Sequence, residues 1–168
     1  MAKPKDIGTR AETAVVRAAL LRGFPHAERR ILHGVNDRGD ILLCPGAIVE
    51  VKGGKKAQNA SRLQIKRWLE ETEHEVANDE RGRELILTGT SIGFLAVQRL
   101  GIGLDNGHEW DAYFPARMTE RLIDALHSSQ VISDVSLAFL KTAFARTMRI
   151  TVHDALEMLR LAGWGDPL

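Results

Sequence analysis

Two apolar runs flanking a Pro-Gly pair, Ile41-Leu42-Leu43 and Ala47-Ile48-Val49, constrain this chain more than any other segment. Cys44-Pro45-Gly46 between them is turn chemistry, so the runs read as neighbouring strands of a hairpin. Strand side chains alternate between faces, which sends Val49 and Val51 into the core and points Glu50 and Lys52 the same way. Asp40 stands at the start of the first strand, and the hairpin brings it together with Glu50, with Lys52 beside them. Two crowded carboxylates repel each other unless a cation sits between them. Hard oxygen ligands favour magnesium or manganese in that place.

Asp40 followed by Glu50-Val51-Lys52 resembles the PD-(D/E)xK signature of nucleases with restriction-endonuclease-like folds, with Gly39 where proline is usual. The approach to the motif is also familiar. A helix opens within Lys5–Glu12 and ends near Gly23, and Arg29-Arg30 precede the aspartate. That order is similar to the archaeal-type Holliday junction resolvases and their phage and bacterial relatives, over roughly residues 5–115. The resemblance implies an α/β fold, a mixed central sheet flanked by helices, and a Mg2+ (or Mn2+) ion held by Asp40, Glu50 and the Val51 carbonyl. It implies that Lys52 orients or deprotonates a water, or steadies charge on the phosphate. Glu12 would complete the acidic cluster or position a water, and Gln64 on the following helix would hold a water or a phosphate. The implied activity is metal-dependent DNA cleavage, most specifically of four-way junctions, by a homodimer that nicks two symmetry-related strands. A restriction-like or repair endonuclease on duplex DNA, and a non-catalytic DNA-binding protein keeping the nuclease shell, are the alternatives.

Glu12 has a local reading of its own. Ala11, Ala14, Val15, Ala18 and Leu21 recur at helical spacing over residues 9–22, and Glu12 lies at the edge of that stripe. An acid in a first helical turn is also favoured by the helix dipole. Gln64 borders the inward face Ala57, Ser61, Ile65, Trp68, Leu69 and Val76 of a helix expected over residues 57–79. Glu70, Glu71, Glu73 and Glu75 give that helix an acidic end facing away from DNA.

The net charge of +1 is unevenly spread: residues 1–67 hold 14 Lys or Arg against 6 Asp or Glu, a net of +8. A polyanion is drawn to the half that carries the motif. Arg10, Arg29, Arg30, Lys55 and Lys56 are the candidate phosphate contacts, acting through backbone rather than base recognition.

At 168 residues the chain fits one globular unit, with a core over residues 1–127 and a C-terminal helical extension over 128–168 for packing or dimerisation. Residues 1–7 read as a polar lead-in. Strands are expected at 27–33, 84–90, 92–99 and, last, 109–114, and helices at 115–127, 134–147 and 152–162. Asp37 reads as a turn-former rather than a ligand. The lone Cys44 excludes an internal disulfide and fits a reducing cytoplasm. No apolar stretch is long enough to span a bilayer. The glycines at 53 and 54 lack P-loop spacing, the six histidines lack zinc spacing, and no nucleophile-elbow pattern is present.

Overall fold

The computed structural model describes residues 4–30, 38–82, 91–144 and 146–166. Helix α1 (Pro4–Leu20) leads into β1 (Glu28–Arg29), β2 (Ile41–Cys44) and β3 (Ala47–Lys52). A short α2 (Lys55–Gln58) and the long α3 (Arg62–Gly82) follow, then β4 (Ile92–Val97), a 3-10 turn at Gly107–Glu109 and β5 (Asp111–Phe114). Helices α4 (Ala116–Ser128) and α5 (Asp134–Ala143), strand β6 (Met148–Thr151) and helix α6 (Val152–Leu161) complete the order.

Among the described residues six strands form one sheet in sequence order, antiparallel throughout except for the parallel pair β3–β4. Parallel neighbours need a crossover, and α3 lies in that connection. The protein is thus a mixed α/β fold with a central, mostly antiparallel sheet flanked by helices. The expected hairpin is present, with Ile41 opposite Val49 and Leu42 opposite Ile48.

At β3 both faces of the sheet are covered, and five of its six residues are buried. Val49, Val51, Phe94, Ala112 and Phe114 join α1 and α6 in the main core through Ala11, Val15, Val152, Ala155 and Leu156. On the opposite face α3 lies over β3 and β4, where Trp68 packs with Ala57, Leu95 and Val97. Gly93 lets α3 come close: a Cβ there would stand 2.6 Å from Val76 Cγ2 and 2.9 Å from Ile48 Cγ1.

Several boundaries depart from the sequence expectation, each for a local reason. Residues 4–7 belong to α1, because proline at a first helical position costs no hydrogen bond. The helix expected over 57–79 is broken at Asn59–Ser61. Ser61 starts it afresh, its Oγ accepting the Gln64 N–H at 3.2 Å as an N-cap. Strand β5 is not the last: Met148–Thr151, read as the gap between two helices, is a strand pairing with β5. Of the strand expected at 27–33, residues 28–29 are extended; the remainder from 31, Asp37 and the run at 84–90 lie outside the described residues.

Candidate active site

Strand β3 delivers two charged side chains to the face beneath α3. Glu50 is 5% exposed, and Lys52 Nζ donates to its Oε1 at 2.5 Å. Lys52 also reaches Glu71 Oε2 at 3.3 Å, and its ammonium lies 5.8 Å from the Trp68 ring centroid, within cation–π range. Burial pulls the lysine pKa down, but the attraction of Glu50 outweighs it and holds Lys52 above the ordinary value. Lys52 is therefore a fixed cation.

Asp40 precedes β2, and its Oδ2 accepts the Val51 N–H at 2.8 Å. Lys52 O accepts from Gln98 on the β4 side of the strand. Carbonyls alternate between the edges of a strand, so the Val51 carbonyl faces the Asp40 side. Asp40, Glu50, Val51 and Lys52 are thus neighbours along β3.

The structure adds a member which that reading set aside. Glu75 comes down from α3 onto Glu50 and shares a hydrogen bond with it. Burial, then the charge of Glu50, pushes the Glu75 carboxyl up to about 9. Burial and the charge of Asp40 push Glu50 up to about 7, against the opposing pull of Lys52. Glu75 Oε2 is buried with no hydrogen-bond partner. The signal was present in the spacing: Trp68, Thr72, Glu75, Val76 and Asp79 follow one helical stripe, and four of these five are buried apolar or polar neighbours of the sheet. Glu70, Glu71 and Glu73 lie off that stripe.

Glu12 stands at the margin of the cluster. Burial lifts its carboxyl above the ordinary range, opposed by Arg29 and reinforced by Asp40. Arg29 Nε donates to Glu12 Oε2 at 2.6 Å, so this candidate phosphate contact is tied to an acid of the site. Arg30 turns inward: it donates to Asp79 Oδ1 at 2.9 Å and to the Arg38 carbonyl, while its backbone N–H bonds Asp40 O at 2.8 Å. That arrangement anchors the segment before Asp40 to α3. Arg10 pairs with Asp105 at the surface. Lys55 and Lys56 are exposed on a groove of about 720 Å³ that also holds Lys52, Gly53 and Trp68. Gln64 lies one turn before Trp68 at the capped start of α3, and no described hydrogen bond ties its side chain to the acids.

Among the described residues no three His, Cys, Asp or Glu side chains converge into a ready-made metal site. The donor chemistry nevertheless fits a divalent cation. Three carboxylates sense one another, two of them are forced toward the protonated form, and one buried oxygen is orphaned. Comparison of the chain with protein-family models, with curated proteins and with solved structures finds no match.

Proposed function

We propose that this protein is a metal-dependent DNA endonuclease with a restriction-endonuclease-like core, and that branched DNA such as a four-way junction is its substrate. The observation that carries the reading is the buried Glu50–Glu75 pair beside Asp40 and Lys52 at the end of β3. Crowding the buried Glu50 against the half-buried Asp40 and Glu75 is costly for a purely structural purpose and useful for binding Mg2+ or Mn2+. Asp40, Glu50 and the Val51 carbonyl would hold the ion, with Glu75 the further oxygen donor that the geometry adds. Bound there, it would supply a water of lowered pKa and neutralise charge on the phosphate.

The chain's own groups account for the rest. Lys52, held protonated, offers a fixed positive charge to a phosphate entering the adjoining groove, which favours charge stabilisation over proton abstraction. Trp68 beneath its ammonium and Glu71 beside it restrict its motion. Lys55 and Lys56 add positive charge along the same groove. Glu12, its carboxyl lifted above the ordinary range by burial, stands at the cluster's margin to position a water or a proton. The junction preference and the homodimer rest on the resemblance of the motif and its approach.

The test is a gel assay with junction, flap, linear and single-stranded DNA, with and without Mg2+. Asp40→Ala, Glu50→Ala and Lys52→Ala each abolish metal-dependent cutting while far-UV circular dichroism is unchanged. Equal cutting by wild type and all three variants refutes the nuclease. Equal affinity for junction and matched linear duplex refutes the junction preference alone.

A further inference from the structure

A second groove, of about 780 Å³, opens on the same face of the sheet where α3 stops covering it. Helix α3 packs over β3 and β4, leaving the α3-side residues of β5 and β6 to line this groove. Tyr113 and Arg149 are register partners there, with the guanidinium 5.5 Å from the ring centroid. Arg99 adds a third wall, and the exposed Arg62 and Lys66 stand opposite on the first turns of α3. Asp111 accepts from Arg149 at 2.7 Å and lies 3.6 Å from Arg99. Asp111 and, 3.9 Å from Lys66, the exposed Glu70 are set against four cations, and the groove is left positive. Ala57 lines both this groove and the one at Lys52, so the two meet at α2.

We propose that this second groove binds an unpaired segment of the nucleic-acid strand that passes the Lys52 site. The occupant follows from its chemistry. Four cations along a concave wall match a phosphate backbone, and the Arg149 guanidinium laid over the Tyr113 ring gives an unpaired base a planar surface to stack on. A duplex keeps its bases paired and has no free base face to lay on Tyr113. Asp111 fits this arrangement as a positioning residue, pinning Arg149 over the ring and holding Arg99 toward the groove. The placement relative to a cleaved bond rests on the nuclease reading; the binding itself does not.

Fluorescence anisotropy of a labelled twelve-nucleotide thymidine oligomer in EDTA tests the groove without any cutting. Arg62→Glu with Lys66→Glu, two exposed positions outside the Asp111 cluster, weakens binding by roughly tenfold or more at low salt. It also lowers the slope of log affinity against log salt, by ~1.4 on the basis of ~0.7 per cation for single strands. Tyr113→Leu weakens binding by roughly fivefold or more, whereas Tyr113→Phe, which keeps the ring, binds as wild type does. Undiminished binding by both the double variant and Tyr113→Leu overturns the proposal. So does equal dependence on these residues for a blunt duplex of the same length. Groove-dependent binding by a protein that cuts nothing upholds the groove and sinks the nuclease. Junction cutting with groove-independent oligomer binding does the reverse.

Discussion

Replacing Glu75 by glutamine separates the cost of the buried acids from their use. The ordinary value of this carboxyl is 4.5, and the folded protein pushes it up to about 9. Between those values the native state holds a proton that the unfolded chain has released. Wild-type stability without metal is therefore greatest below the lower value and falls as pH rises across the window. At pH 8, about 3.5 pH units above the unfolded value, the cost reaches a ceiling of ~5 kcal/mol at ~1.4 kcal/mol per unit. Glu50 draws on the same proton and the site is partly solvated, which brings the recoverable part to ~2 kcal/mol. Glutamine keeps the shape and the donor toward Glu50 without the titration. In EDTA, Glu75→Gln melts with wild type near pH 5 and ~4–8 °C above it near pH 8, given ~2–4 °C per kcal/mol for a chain of this size. Millimolar Mg2+ raises the wild-type melting temperature at pH 8 and moves the variant less. A variant that melts at or below wild type at pH 8 in EDTA refutes the claim that Glu75 is strained by burial and by Glu50.

Other perturbations address the frame around the site. Arg30→Met removes the charge-assisted bond to the buried Asp79, which keeps the Ser91 hydroxyl as a donor, and lowers stability by ~1.5–3 kcal/mol in urea unfolding; a loss below ~0.5 kcal/mol disproves the anchor. Gly93→Ala drives a methyl into Val76 and Ile48 and costs ~1–3 kcal/mol, read as a shift in urea midpoint at constant slope; an unshifted midpoint removes the close-approach argument. Lys52→Met in EDTA lifts the pH at which Glu50 ionises, because the nearest cation is lost; carboxyl resonances followed by NMR check the direction, and an unchanged titration contradicts the pairing.

What the sequence disclosed tracks how local each determinant is. The β2–β3 hairpin was legible because a Pro-Gly turn and alternating side chains specify it within a dozen or so residues. Once register is set, Glu50 and Lys52 must share a face. Glu75 was hidden by its neighbours, since four glutamates in six positions look like a solvated helix end. The stripe of Trp68, Thr72, Val76 and Asp79 is what singles out Glu75 among them, and the close approach of α3 at Gly93 brings it down to the sheet. Strand β6 was hidden for a different reason. Met148-Arg149-Ile150-Thr151 is too short to carry its own periodicity, and its pairing with β5 is not local. Arg30 was read as a phosphate contact because a sequence shows its charge but not Asp79, far along the chain, to which that charge is committed.

The packing of α1 against α6 has a consequence for how this protein comes into being. Residues 11–19 lie in the same core as residues 152–162, so the apolar stripe of α1 is covered only after a helix far along the chain has been made. Until then β5 presents an open edge, because its partner β6 has yet to emerge. Such long-range closure slows folding and leaves apolar surface and a strand edge exposed in the meantime. It also postpones completion of the sheet that carries Glu50 and Lys52 until β6 has been made.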